Sequence, residues 1–205
     1  MNDIEFAGLL VSRVCHDLVS PVGAVVNGLE VLEDERDAAM RADALKLVIS
    51  SAEQAAARLQ FARIAFGAAG SAGAELDLTE VGRIVEGLLQ GSKVTIDWQA
   101  ARVNWPKDWA KLLMNATLLA ADSLPRGGHV KVQTSQDPAA PSFTVRASGQ
   151  NARVLEEVDK AVRGEPVSPM DGRSIQPFLT HKLARLLNAG LSVSASDGAV
   201  ELVAG

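Results

Sequence analysis

The sequence predicts an α+β fold: an N-terminal helical hairpin that forms a dimeric four-helix bundle, followed by a C-terminal α/β sandwich. Three observations carry this. Apolar residues recur at steps of three and four over residues 4–33, and again over 38–66. A small-residue stretch, GAAGSAGAE at 67–75, then breaks the pattern. Beyond it, helical segments alternate with short stretches of period two, the signature of strands. The division this implies is a hairpin domain over 1–70 and a sandwich domain over 76–205.

The first stripe runs through Ala7, Val11, Val14, Leu18, Val22, Val25, Leu29 and Leu32. The charged EDERDAAMR marks a turn. The second stripe includes Leu45, Val48, Ile49, Ala52, Ala55, Ala56, Leu59, Ala62, Ala65 and Phe66. Each helix is roughly 40 Å long at 1.5 Å per residue, and the short turn makes them antiparallel. One hairpin cannot cover both stripes, so a second copy of the chain is expected to complete a bundle.

After the small-residue stretch, DLTEVGRIVEGLLQ reads as a helix capped by Asp77 or Thr79, and KVTIDWQ alternates as a strand. KDWAKLLMNATLLAADSL is helical. PRGG turns into the alternating HVKVQTS and SFTVRAS. RVLEEVDKAVRG and QPFLTHKLARLLNAG are helical, the second with Gly190 at its C′ position. LSVSAS and AVELVA close as a hairpin around DG. The order α-β-α-β-β-α-α-β-β implies a mixed sheet with helices on one face.

Composition narrows the function classes. The 205 residues are 47% hydrophobic with a net charge of −5, and no Lys/Arg run appears, so no nucleic-acid partner is expected. The N-terminus lacks a secretory pattern, and no uninterrupted apolar run approaches the ~20 residues of a membrane span. A cytoplasmic protein with no membrane partner is the expectation. The single cysteine, Cys15, forms no internal disulfide or zinc cluster and reads as a buried, inert thiol. Trp98, Trp105 and Trp109 read as core or dimer contacts, and His129 and His181 as structural.

His16 is different. It lies two residues from both Val14 and Leu18, so helical geometry turns it about 160° away from the stripe, toward solvent. Val19 and Ser20, at i+3 and i+4, offer no metal partner, so no metal site is expected. What remains is an exposed imidazole on a rigid helix, a form that is largely neutral and nucleophilic near neutral pH. Asp17 supplies a carboxylate to hold or deprotonate the ring, and Arg13, one turn earlier, a cation to balance phosphoryl charge. Pro21 has no N–H for the carbonyl of Asp17, so the helix should bend just past the histidine. Asp17 and Arg13 also read as ordinary surface charges, and Pro21 as a packing kink.

The pattern His-Asp-Leu-x-Ser-Pro at 16–21, on the first helix of a long hairpin, resembles the phosphoacceptor box of bacterial histidine kinases, usually H-E-x-x-x-P. In those kinases the bundle precedes an ATP-binding domain of the Bergerat (GHKL) type. There, a helix before a Gly-Gly turn carries two asparagines four residues apart, then a basic residue. Counting back from Gly127-Gly128, Asn115 takes the first place, Leu119 the second and Asp122 the basic one. Where kinases carry D-x-G-x-G, this chain reads Ala147-Ser148-Gly149-Gln150-Asn151, and the glycine-rich lid is missing. The groups that hold a magnesium triphosphate are therefore largely absent.

With RVCHDLVSP, GLEVLED, LQFARIAFGA, DWQ and GEP, the whole chain resembles the ChpT family of bacterial histidine phosphotransferases. The resemblance implies a homodimer that binds no ATP and no metal of its own. It would take phosphate onto His16 from the receiver aspartate of a hybrid histidine kinase and pass it to receiver aspartates of response regulators, typically CtrA-type cell-cycle regulators in alphaproteobacteria. The receiver would bring Mg²⁺ and a lysine. Docking would use the face around His16, with Arg13, Val19, Ser20 and Pro21, and the facing part of helix two from Phe61 to Ile64. The rival readings are an ATP-dependent kinase with a divergent pocket and a non-enzymatic dimeric adaptor.

Overall fold

The computed structural model describes residues 1–67 and 73–205. The expected domain boundary thus falls largely on residues outside those described. Helix α1 spans Asp3–Asp34 and opens on a capping box, Asn2 with Glu5. Helix α2 spans Ala38–Ala65, its first amides bonded by Asp37. Between them Glu35 accepts from the amides of Arg36 and Asp37, which closes the turn. The helices approach closely at Gly28, where a Cβ would sit 2.6 Å from a Val48 methyl.

The expected stripe on α1 divides in two. Val14, Leu18, Val25 and Leu32 are partly buried, whereas Val11, Val22 and Leu29 are exposed, together with Val26. By helical geometry the exposed four share a sector about 60° wide. On α2, Leu45, Ile49 and Leu59 are exposed on one side in the same way. Helix α1 is long and apolar enough, by length and average composition, to cross a membrane, with little of that stretch buried in the chain. Scattered charges break the apolar run along this helix, yet they are too few to bring its average hydropathy down.

Strand β1 (Glu75–Asp77) pairs antiparallel with β3 (Asn104–Pro106), a small ladder separate from the main sheet. Neither strand was expected, because three residues are too short for alternation to register. Helix α3 (Leu78–Leu89) starts at the Asp77 cap and leads to β2 (Val94–Gln99). Helix α4 (Lys107–Asp122) is the buried centre, with Leu112, Leu113, Met114, Asn115 and Ala116 fully enclosed. Strands β4 (Gly128–Thr134) and β5 (Phe143–Ser148), helices α5 (Glu156–Arg163) and α6 (Ile175–Leu186), and strands β6 (Ser192–Ser196) and β7 (Ala199–Ala204) complete the chain. Helix α6 ends earlier than expected: the left-handed residue is Asn188, not Gly190.

The main sheet has the order β2-β4-β5-β7-β6, with β2 and β4 parallel and the other pairs antiparallel. Val130, Val132, Phe143, Val145, Val200 and Leu202 point inward under the helices. Lys131, Arg146 and Glu201 line the other face, where Arg146 and Glu201 form an ion pair. Helices thus cover one face of a mixed sheet.

The tryptophans are structural. Trp105 is fully buried and meets Trp109 edge to face, while Trp98 Nε1 donates to the Leu78 carbonyl. His181 donates from Nδ1 to the Val162 carbonyl, and His129 Nδ1 lies 3.1 Å from Thr95 Oγ1. Cys15 is exposed, contrary to the expectation of burial. It sits between the stripe and His16, on a part of α1 left open among the described residues.

Candidate functional site

Helix α1 presents His16 with 86% of its side chain exposed. Nδ1 lies 3.3 Å from Asp17 Oδ1. With the proton on Nδ1 pointed at that carboxylate, the lone pair resides on Nε2, which has no hydrogen-bond partner among the described residues. The site is a helix face that a planar imidazole leaves free on one edge and tethers on the other.

Asp17 is held in turn. Arg13 Nε donates to its Oδ2 at 2.8 Å, one helical turn away. The same guanidinium donates from Nη1 to the Gly172 carbonyl at 3.1 Å and places Nη2 3.7 Å from Asp122 Oδ2. Arg13 is therefore not a free cation waiting for a phosphoryl group. Its side chain is 16% exposed and bridges α1 to the sheet domain. Burial alone would lower its pKa, but the hydrogen bond and charge of Asp17, joined by those of Asp122, outweigh that and raise it. Asp122, at the end of α4, keeps half its side-chain surface open, yet the opening faces recesses walled by protein. This desolvation raises its carboxyl pKa above 3.8, against the pull of Arg13.

The other expected site residues are placed unevenly. Val19 and Ser20 are exposed beside His16. Pro21 is buried inside α1, which continues through it unbroken. Phe61 is only 2% exposed and packs edge to face on Phe66, so it belongs to the core and not to a docking surface. Ile64 is half-buried against the same core. Helix α2 packs against the sheet domain on this side, which the hairpin pattern alone did not reveal.

Three participants were missed. Arg58 of α2 donates to the Asp17 carbonyl. Asp122 reaches Arg13 from α4, and the segment Asp171–Arg173 forms the far wall of a groove completed by Ser12, Arg13, His16 and Asp17. Only Asp122 left a trace in the sequence: it is an acid where the kinase pattern has a base.

The family profile described as the histidine phosphotransferase C-terminal domain matches residues 78–199. The chain is 39% identical to the protein phosphotransferase ChpT of Brucella abortus over 204 residues, 99% of this chain and 95% of that one. The chain belongs to the ChpT family of histidine phosphotransferases. A bacterial phosphotransferase solved at 1.7 Å superposes with a TM-score of 0.90, at 36% identity over 100% of this chain and 98% of that one. The Acinetobacter baumannii histidine kinase AdeS shares the fold at a TM-score of 0.50 and 12% identity, over 92% of this chain and 95% of that one. The protein is thus a phosphotransferase enzyme with a phosphorelay role, built on a histidine-kinase-like fold.

In this ChpT-family phosphotransferase two positions where the kinase pattern holds nucleotide bring no free polar group to a magnesium triphosphate. Ala147 is fully buried in β5 and brings no carboxylate. Asn115 is enclosed as well. Its Nδ2 donates to the carbonyls of Ala65 and Lys111, and its Oδ1 accepts from Gln176 Nε2 at 2.9 Å. It joins the end of α2 to α4 and α6. The adjoining cavity, about 230 Å³, has an apolar floor that includes Leu119, Val158 and Leu202, and Arg13, Asp122, Arg153 and Arg173 also line it. Among the described residues no group of three or more His, Cys, Asp or Glu is placed to hold a metal ion.

Proposed function

We propose that His16 carries the phosphoryl group, taking it from the receiver aspartate of a hybrid histidine kinase and passing it to response-regulator receivers of the CtrA cell-cycle type. The observation that carries this reading is the exposed imidazole tethered through Nδ1 to Asp17, with Nε2 open to a partner. The Nε2 lone pair attacks phosphorus of the receiver's acyl phosphate. The bond between phosphorus and the aspartate oxygen breaks, and the carboxylate leaves with its electron pair. The imidazolium so formed shares its Nδ1 proton with Asp17. The reverse sequence delivers the phosphoryl group to the next aspartate.

Such a transition state is loose, so catalysis rests on position and on charge stabilisation. In this reading the receiver contributes Mg²⁺ and a lysine, and this chain binds neither metal nor ATP. The alanine at position 147, which brings no carboxylate, and the enclosure of Asn115 support the second point. The receiver seats on the exposed α1 surface at Val19 and Ser20.

The same reading places the protein in the cytoplasm as a homodimer. The exposed faces of α1 and α2 need cover. A second hairpin suits them better than a lipid bilayer, because Arg13 bonds α1 to Gly172 of the sheet domain, which a bilayer would exclude.

The test is transfer itself. Purified protein mixed with a labelled, phosphorylated receiver domain should acquire an acid-labile label, and His16→Ala should acquire none. A His16→Ala protein that still takes phosphate would show that another residue is the acceptor.

A further inference from the structure

We infer that Asp122 is a positioning residue for phosphoryl transfer, acting on His16 through Arg13 and Asp17. The inference rests on His16 being the acceptor. The contacts form a line across the domain junction. His16 Nδ1 meets Asp17 Oδ1 at 3.3 Å, Asp17 Oδ2 accepts from Arg13 Nε at 2.8 Å, and Arg13 Nη2 lies 3.7 Å from Asp122 Oδ2.

Each link has a geometric purpose. A carboxylate on a helix surface rotates freely unless both oxygens are engaged. Arg13 takes Oδ2, so Oδ1 is left toward the imidazole. Arg13 has long, flexible torsions of its own, and two anchors on the sheet domain restrict them: the Gly172 carbonyl and Asp122. The fork geometry of a guanidinium lets one side chain hold all three partners at once.

Charge points the same way. Around His16 the groove brings Arg13 and Asp17 from α1 together with Asp171 and Arg173 from the segment before α6. Arg58 is engaged at the Asp17 carbonyl. Asp122 offsets the charge of Arg13, so that Arg13 does not draw Asp17 away from the ring. Positioning of this kind is felt in rate: a misplacement of about 1 Å arising far from the chemistry can cost on the order of 10²-fold.

The experiment uses the full chain and two phosphodonors: a phosphorylated receiver domain, and phosphoramidate, a small donor that needs no docking. Asp122→Asn should lower the maximal transfer rate by roughly 10-fold or more with both donors, while the receiver concentration giving half-maximal rate stays within about twofold. Asp122→Glu should restore most of the rate. The ring-nitrogen NMR signals of His16 should shift in Asp122→Asn toward an unbiased mixture of tautomers. Arg13→Lys, which keeps the charge but lacks the fork, should reproduce the loss and serves if Asp122→Asn does not fold. An unchanged maximal rate with unchanged His16 signals would overturn the inference, as would a loss seen only with the receiver donor. Phosphate uptake by His16→Ala would instead overturn the underlying assignment of the acceptor.

Discussion

The side chain of Arg58 donates to the main-chain carbonyl of Asp17, the carbonyl that Pro21 deprives of its helical partner. Helix two thus supplies the hydrogen bond that helix one lacks, one residue from His16. The proline creates an acceptor, and the arginine ties the two helices together at that point.

This relationship is measurable as a coupling. Arg58→Met keeps an apolar stem but leaves the carbonyl short of a donor, and should destabilise the protein by about 1–3 kcal/mol. Pro21→Ala returns an N–H to the helix. On that background Arg58→Met should lose much of its effect, leaving a coupling of roughly 0.5–2 kcal/mol in a double-mutant cycle followed by denaturant unfolding. Strictly additive losses would mean that Arg58 acts through packing and not through the Asp17 carbonyl.

Asp17 should govern rate rather than identity. Asp17→Ala leaves His16 in place but frees its Nδ1 edge, and should slow label uptake from a phosphorylated receiver by ~10² to 10⁴. His16→Ala should leave thermal unfolding nearly unaltered, within about 0.5 kcal/mol, because its side chain is almost wholly exposed. A large stability loss in His16→Ala would show that the ring is a structural element, and equal uptake by Asp17→Ala would remove the carboxylate from the chemistry.

The hairpin, the helix order and the one-sided sheet were legible because each rests on a long local period. Asp77 was legible as a cap because a capping acid acts on its own neighbours. The position of His16 followed from helical rotation alone. What escaped depended on distant packing. Phe61 sits on a helix with little net amphipathicity, so nothing local says that its side faces the sheet domain rather than a partner. Arg13 carried a charge whose partners, Gly172 and Asp122, lie more than a hundred residues away. Cys15 was misjudged because cysteines are usually buried, and this helix is left uncovered in the single chain.

Dimerisation should respond to charge on the exposed face of α2. Leu59 is 54% exposed in the single chain, so Leu59→Glu should leave the fold intact by circular dichroism. In a dimer that buries this face, an unpaired carboxylate costs several kcal/mol, enough to raise the dissociation constant by about two decades or more. Light scattering should report a dimer for the wild type at micromolar concentration and a monomer for the variant. A wild-type monomer at that concentration, or a variant that remains dimeric, would place the partner surface elsewhere.

Asp122 should leave a signature in stability against pH. Its carboxyl pKa is raised above 3.8 in the folded chain, first by desolvation, with Arg13 opposing and Asp17 adding repulsion. A group raised in this way binds its proton more tightly folded than unfolded. Its contribution is therefore fully present below 3.8 and is lost as pH rises through the folded pKa. Asp122→Asn removes that titration while keeping the side-chain shape. Denaturant unfolding of both proteins at a series of pH values should show the wild type losing stability relative to Asp122→Asn as pH rises from about 4, then levelling off. A difference that stays flat, or that grows in favour of the wild type with rising pH, would mean that the ion pair with Arg13 outweighs desolvation and that the carboxylate is held down rather than pushed up.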